Sequence, residues 1–179
     1  MLFSSITDKS PLPAKLRLDK GFQPCPAEAG DEHYPNGIFE FNITRLLAFI
    51  DARADRFPIG SIAVADIPDY GSSQLNDETV RAADLSRPVL LAEISPGLYN
   101  LIDGHHRIAR ARREGVASVP GRKIACPVHV AFLTSTLAYE SYVEYWNSKL
   151  KALQRERARR APAANSTVHH DIPSRIAQR

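Results

Sequence analysis

The chain has 179 residues, of which 44% are hydrophobic and 24% are charged, a composition typical of a folded domain with a buried core. Its formal net charge is +3, but residues 1–148 carry 15 basic and 18 acidic side chains, whereas residues 149–179 carry 8 basic and 2 acidic ones. An acidic body with a basic end excludes a uniformly cationic nucleic-acid coat protein.

No apolar stretch approaches the roughly 20 residues of a membrane-spanning helix, so we expect no membrane partner. Residues 1–8 lack the basic start and the long apolar run of a secretory signal. The two cysteines, Cys25 and Cys126, are too widely spaced for a metal knuckle or a redox pair. A reduced, cytoplasmic protein is the simplest interpretation, although the sequence does not exclude a disulfide between them.

Residues 1–37 contain five of the 13 prolines and are expected to form an irregular N-terminal extension. Residues 38–59 are expected to supply a strand and a helix that pack on the core. The strand would occupy residues 38–41, and Asn42 suits a helix N-cap because its side-chain oxygen can accept from an unpaired amide. The helix should end before Pro58.

Residues 60–134 are expected to form the core of the fold. The pattern predicts, in chain order, a strand, a loop, a short helix, a hairpin of two strands, a further helix and a last strand that includes His129. The first strand is expected at residues 61–67, the loop at 69–73 and the short helix from 76 or 77 onward. The strands of the hairpin are expected at 88–94 and 98–102, the further helix at 104–114 and the last strand at 123–132.

Residues 135–160 are expected to form a long helix with Thr136 as its cap. Apolar side chains recur there at three- and four-residue steps, which is typical of a helix that packs one face on a core. They are Tyr139, Tyr142, Val143, Trp146, Leu150 and Leu153. The same stripe could instead be the seam of a homodimer or a surface on which bases stack. Residues 161–179 have no apolar period and are expected to be a disordered tail.

One segment carries a distinct chemical pattern, in which an apolar strand runs through Asp103 and Gly104 directly into a helix. The first amides of a helix have no intrahelical partner, and with the helix dipole they attract anions. His105, His106 and Arg107 crowd the same first turn, where cations are unfavourable for the helix unless an anion binds. Arg107 can hold a phosphate through two hydrogen bonds. These residues, from Gly104 to Arg107, therefore predict a phosphate site.

Asp103, His105, His106 and Glu93 are the candidate catalytic residues. Adjacent histidines point to different faces of a helix, so at most one of them is expected to transfer a proton or accept the phosphate. Asp103 could orient that histidine, cap the helix or help hold a divalent metal. The two histidines have no third ligand at a suitable spacing, so no metal site is predicted. If a metal is needed, the nearest carboxylates are those of Asp103, Glu93, Asp66 and Asp69.

The order strand, Asp103, Gly104, His105, His106, Arg107, helix resembles the motif of the ParB/sulfiredoxin fold. Residues 87–91 resemble the proline-led strand common in that family, and residues 107–115 resemble the helix after its Gly-x-x-Arg turn. The likeness covers about residues 60–132. The expected fold class is α+β, with a ParB/sulfiredoxin-like small mixed sheet and helices, an N-terminal extension and a long C-terminal helix.

The resemblance implies a nucleotide at residues 104–107, either CTP, ATP or ADP, with or without Mg²⁺. Relatives include partition proteins that bind CTP, sulfiredoxins that use ATP, free-serine kinases and ParB-like nucleases. The chain departs from this pattern at two places. His105 stands where sulfiredoxin has a catalytic cysteine, and only 47 residues follow Phe132, without the recognition helix of a complete partition protein.

These observations leave three interpretations of the protein. It could be an enzyme that transfers a phosphoryl group or hydrolyses a phosphodiester, a non-catalytic nucleotide-responsive module for DNA partition or regulation, or a domain in which the Gly104 turn is only structural. The basic end of the long helix could bind DNA phosphates in a salt-dependent way or be a solvated helix end. Its candidate contacts are Arg155, Arg157, Arg159 and Arg160.

Overall fold

The computed structural model describes residues 11–68 and 75–160 of the chain. In these residues it has six β-strands and four α-helices, so the predicted α+β class is confirmed. The strands are β1 (His33–Asn36), β2 (Phe39–Asn42), β3 (Gly60–Ala63), β4 (Val89–Ser95), β5 (Leu98–Asp103) and β6 (Ser118–Ile124). The helices are α1 (Ile43–Asp51), α2 (Asp77–Ala82), α3 (His105–Arg113) and α4 (Thr136–Arg160).

A mixed four-stranded sheet forms the centre of the fold. Its strand order is β3, β6, β4, β5, with β6 and β4 parallel and the other neighbours antiparallel. All seven residues of β4 are buried, as is typical of a strand covered on both faces. Leu90 and Ala92 face a core shared with α1, β2 and α4, whereas Val89 and Leu91 face a second core shared with α3. Helix α3 therefore lies on the opposite face of the sheet from α4.

The predicted hairpin is confirmed, because β4 and β5 pair antiparallel with Leu90 opposite Asp103. The predicted N-cap of α1 is also confirmed, since Asn42 Oδ1 accepts from the amide of Arg45 at 3.0 Å. Asn42 is fully buried, and its Nδ2 donates to Asp31 Oδ2 at 2.7 Å. The cap therefore also ties the N-terminal extension to α1.

Thr136 was predicted as the cap of α4, but it is the first residue of the helix, and the side chain that caps the helix belongs to Ser135, whose Oγ accepts from the amide of Ala138 at 3.1 Å. The apolar stripe of α4 is buried in the core of the same chain. Its buried members are Tyr139, Tyr142, Val143, Trp146 and Leu150. The core interpretation of the stripe is confirmed, and burial makes these side chains inaccessible to a partner chain or to a stacked base.

The strand predicted over residues 123–132 is wrong. Strand β6 ends at Ile124, and Val128–Phe132 forms a 3₁₀ helix instead. Pro127 stands between them, and proline has no amide hydrogen with which to continue pairing to a neighbouring strand. His129 therefore lies in the 3₁₀ helix rather than in a strand, and it is fully buried.

The N-terminal extension is more ordered than its composition predicts. Strand β1 lies inside it and pairs with β2 across a two-residue turn, in which Gly37 has φ +65°. A two-residue hairpin turn favours a glycine with positive φ at this position. The strand predicted over residues 61–67 also differs, since β3 ends at Ala63 and a 3₁₀ turn, Val64–Asp66, follows.

Residues preceding β1 dock on α4 through specific contacts. Trp146 Nε1 donates to the carbonyl of Ala14 at 3.1 Å, and the ring of Phe22 stacks on Tyr139 with 3.9 Å between centroids. These residues therefore belong to the folded body. The loop predicted at 69–73 and the disordered tail predicted at 161–179 lie outside the described residues. Within the described part of the chain, no helix has the length and apolar character required to cross a membrane.

Candidate functional site

The segment of residues 103–107, here called the DGHHR turn, connects the end of β5 to the start of α3. Gly104 is the N-cap of α3 and has φ 101°, in the left-handed region that glycine adopts without strain. A Cβ at this position would lie 2.6 Å from Val89 Cγ1 and 2.9 Å from Arg107 Nη2. Backbone conformation and lack of space therefore both require glycine here, and the tight turn predicted from the sequence is confirmed.

The N-terminus of α3 has no side-chain cap at Gly104. The amide of Ile108 donates to the carbonyl of Gly104 at 3.0 Å. Amides before Ile108 have no carbonyl one turn earlier to which they could bond within the helix. These amides and the positive end of the helix dipole together favour a bound anion.

The Arg107 side chain folds back over Gly104 towards the end of β5. Its Nη2 donates to Asp103 Oδ2 at 2.7 Å, and the two side chains are 11% and 17% exposed. Arg107 Nε is buried and has no hydrogen-bond partner among the residues that the structure describes. Because a buried donor without an acceptor is unfavourable, this nitrogen makes the turn less stable than it would be with every donor paired.

His105 is covered by an aromatic ring from the N-terminal extension. The ring of Tyr34, on β1, stacks on that of His105 with 5.4 Å between centroids and 19° between planes. Burial lowers the pKa of His105, and the nearby Asp103 carboxylate opposes this effect only in part. His105 is therefore neutral near pH 7. His106, the next residue of α3, is half-buried.

Sequence reasoning missed Tyr34, because the prolines and glycines around it favoured an irregular segment. The available signal was Gly37, since a glycine at the first position of a two-residue turn between residues that favour strands is typical of a hairpin. The placement of the hairpin beside α3 depends on tertiary packing.

The other arginines of α3 bond to protein groups. Arg110 Nη1 donates to the carbonyl of Ala83 at 2.9 Å, and Arg113 Nη2 donates to Asp77 Oδ1 at 2.6 Å. Arg112 donates to the carbonyl of Ile67. These side chains hold the neighbouring loops and α2 against α3, whereas the Arg107 guanidinium bonds to Asp103 within the DGHHR turn.

Glu93, a predicted catalytic residue, is not brought to the DGHHR turn. It lies three residues along β4 from Leu90, the partner of Asp103, which is a distance of roughly 10 Å. Its carboxylate accepts from the amide of Gly97 at 2.8 Å and from that of Cys126 at 3.2 Å. Glu93 therefore fixes the β4–β5 turn and the end of β6, which is a structural role.

Neither cysteine is in a disulfide. Burial raises the pKa of Cys126 to about 12, so its thiol stays protonated at neutral pH and is a poor nucleophile. The described residues contain no group of three or more side chains placed to hold a metal ion. Asp66 is exposed on the turn after β3, and Asp69 lies outside the described residues.

A second polar cluster lies in the core, on the α4 side of the sheet. His129 Nε2 is 2.8 Å from the hydroxyl of Tyr142, which donates to the carbonyls of Glu93 and Ile94 at 3.2 and 3.1 Å. His129 Nδ1 is buried without a hydrogen-bond partner among the described residues. Burial lowers the pKa of His129 to about 3. The cluster joins the 3₁₀ helix, α4 and β4.

His129 is expected to make the stability of the fold depend on pH. The unfolded chain protonates this histidine below about pH 6.5, whereas the folded chain resists protonation down to about pH 3, so stability is lost as the pH falls through this window. The free energy of unfolding should decrease by about 1.4 kcal/mol between pH 7.5 and pH 5.5. Urea unfolding at these two pH values measures the change.

The matched variant for this measurement is His129→Gln, which keeps an N–H for the Tyr142 hydroxyl and cannot titrate. Its loss of stability between pH 7.5 and pH 5.5 should be smaller than that of the natural chain by about 1.4 kcal/mol. Equal losses in the two proteins would show that His129 is not the group that titrates.

No protein-family model, curated protein or solved structure matches the chain. The function is therefore inferred from the arrangement of the residues themselves. The strongest feature is the DGHHR turn, because it combines the start of a helix, a required glycine and a guanidinium with an unpaired buried nitrogen.

The C-terminal end of α4 extends beyond the core. Leu150 is the last buried residue, and α4 continues to Arg160, roughly 15 Å further. Lys151, Arg155 and Arg159 recur every four residues and are exposed. Their spacing places them on the face of the helix opposite Leu150.

The four arginines predicted to bind nucleic acid differ in their surroundings. Arg155 and Arg159 belong to the exposed row, whereas Arg157 is half-buried and lies on the same face as Leu150. Arg160 pairs with Glu156 one turn earlier. The exposed cationic row thus consists of Lys151, Arg155 and Arg159, and it includes a lysine that the sequence-based prediction omitted.

Proposed function

We propose that the chain is a ParB-like domain whose DGHHR turn binds the phosphate of a nucleotide, CTP, ATP or ADP, for phosphoryl transfer or phosphodiester hydrolysis. The observation that carries this proposal is the buried Arg107 guanidinium, held over Gly104 by Asp103 with its Nε unpaired among the described residues. A phosphate oxygen at this place would accept from both the guanidinium and the amides of α3.

The context of the motif supports the proposal. A ParB-like phosphate turn needs a strand that ends at the aspartate and a helix that begins directly after the glycine. Here β5 ends at Asp103, α3 begins at His105, and the preceding hairpin places β4 beside β5 in a mixed sheet.

Each residue of the turn has a distinct part in the proposed reaction. Arg107 and the first amides of α3 would hold the phosphate, and Asp103 is a positioning residue because it fixes the guanidinium. Neutral His105 can accept a proton, or it can attack the terminal phosphorus atom while the P–O bond to the leaving nucleotide breaks, and His106 is the alternative on the next helical position. Positioning and charge stabilisation supply most of the catalysis in phosphoryl transfer, so few residues are required.

Thermal melting with CTP, ATP and ADP, each with and without MgCl₂, tests the proposal. A ligand that binds only the folded chain raises the melting temperature, and at a hundred times its Kd it contributes about 2.7 kcal/mol of stability. If none of the three nucleotides raises the melting temperature under either condition, the proposed function is wrong. Turnover of a nucleotide or a DNA substrate then distinguishes an enzyme from a binding module.

A second candidate function is a non-catalytic, nucleotide-responsive module that binds DNA, for partition or regulation. The exposed row Lys151, Arg155 and Arg159 favours it, because α4 carries this row past the core on the side opposite Leu150. Cations about 6 Å apart along a helix that extends from the body can approach several phosphates of one duplex.

Reversing this row is expected to weaken DNA binding. The triple variant Lys151→Glu, Arg155→Glu and Arg159→Glu should make the slope of log K against log salt concentration less steep by about 2.7, since about three phosphate contacts are lost. Fluorescence anisotropy with a labelled duplex at several salt concentrations gives the slope.

The matched control for the row is the reversal of three exposed cations on the N-terminal extension, Lys15, Arg17 and Lys20, which changes the net charge by the same amount. This control should keep the natural slope. If both triple variants bind DNA equally, the effect comes from net charge and α4 is not the DNA-binding surface.

A further inference from the structure

An aromatic pair stands directly beside the DGHHR turn. Tyr34 of β1 and His105 of α3 stack at 5.4 Å, and both side chains are half-buried, so part of each remains at the surface. His105 is the first residue of α3 and follows Gly104, so its ring lies next to the amides that favour an anion. The turn therefore combines a phosphate-binding end with an aromatic surface.

The hairpin holds Tyr34 in this position. Tyr34 pairs with Phe41 across β1 and β2, and Phe41 is fully buried in the core and bridges to Leu133. The Tyr34–His105 stack thus joins the DGHHR turn to the β1–β2 hairpin, which is anchored through Phe41 on the α4 side of the central sheet. A ring fixed in this way loses little freedom when a planar group packs on it.

We propose that Tyr34 and His105 form a stacking surface for the base of the ligand, so that the site selects nucleoside phosphates over phosphates that lack a base; with His105 on the base, His106 takes the catalytic part. This inference rests on the proposed function, because it assigns the base of the nucleotide whose phosphate the DGHHR turn would hold. Aromatic side chains stack on any base through its π-face, and His105 adds no charge because burial keeps it neutral.

Tyr34→Ala tests this inference when the affinities for CTP and ATP are compared with that for tripolyphosphate, which has the phosphates and no base. Of CTP and ATP, the one that binds more tightly should bind the natural chain about 10-fold more tightly than tripolyphosphate does. Tyr34→Ala should lose that preference and keep the natural affinity for tripolyphosphate. Tyr34→Phe keeps the ring and should keep the preference. Isothermal titration calorimetry measures all the affinities, and circular dichroism shows whether each variant is folded.

The possible results separate this inference from the proposed function. If Tyr34→Ala keeps the natural preference while Arg107→Ala binds neither nucleotide nor tripolyphosphate, the inference of a stacking surface is wrong and the proposed phosphate site stands. Equal affinities of the natural chain for nucleotide and tripolyphosphate also overturn the stacking surface. Absence of binding to every ligand by the natural chain overturns both proposals. If Tyr34→Ala does not fold, Tyr34→Leu replaces it, since leucine keeps apolar contact without the flat ring.

Discussion

Arg107→Ala is expected to abolish the rise in melting temperature that the nucleotide causes in the natural chain. The guanidinium is the charged donor of the DGHHR turn, and each hydrogen bond to a charged group contributes about 1.5–3 kcal/mol. Loss of a two-bond contact with phosphate should therefore weaken nucleotide binding at least about 100-fold. Arg107→Lys keeps the charge and loses the planar fork, so its affinity should lie between the two.

The matched control is Arg110→Ala, which removes the next arginine of the same helix. Arg110 bonds to the carbonyl of Ala83 and to Glu114, so this variant changes a surface contact and leaves the DGHHR turn intact. It should show the natural rise in melting temperature with nucleotide. A natural nucleotide response in Arg107→Ala would place any phosphate site elsewhere on the chain.

Gly104→Ala is expected to lower both stability and nucleotide binding. The methyl group would meet Val89 at 2.6 Å and the Arg107 guanidinium at 2.9 Å, in a residue whose φ is 101°. Left-handed strain contributes about 1 kcal/mol and overpacking against a buried valine about 1–3 kcal/mol, for a total of about 2–4 kcal/mol. Displacement of Arg107 should also weaken nucleotide binding. Urea unfolding and calorimetry measure the two effects.

Gly115→Ala is the control that separates backbone strain from crowding. Gly115 follows α3 with φ +67°, and a Cβ there meets nothing within 4 Å. Its alanine variant should lose only about 1 kcal/mol and keep the natural nucleotide affinity. If the two glycine variants lose equal stability, the close approach of Val89 and Arg107 to Gly104 has no energetic consequence.

Local patterns predicted the elements that carry the candidate site. The hairpin of β4 and β5 follows from two apolar runs around Pro96 and Gly97, and the start of α3 follows from Gly104 before a charged helical segment. Asn42 was predicted as a cap because its side-chain oxygen can accept a hydrogen bond from an unpaired amide a few residues later. In each case the interacting groups are close in sequence, so their residue types and spacing were enough.

Predictions about the partners of individual side chains were less successful. Glu93 was expected to assist catalysis, but its carboxylate bonds to two backbone amides at the far end of β4. His129 was expected in a strand, and it is buried against Tyr142 of α4. Arg157 was grouped with Arg155, although helical rotation places them on different faces.

The sequence by itself determined the DGHHR turn, because glycine, the charged residues and the free helix amides are consecutive in the chain. Only the tertiary structure decided that Arg107 is buried over Gly104 and that Tyr34 stacks on His105. The physical reason is that burial and ring contacts depend on how the β1–β2 hairpin and the sheet pack around α3. Packing of this kind joins residues far apart in the chain, and no local period encodes it.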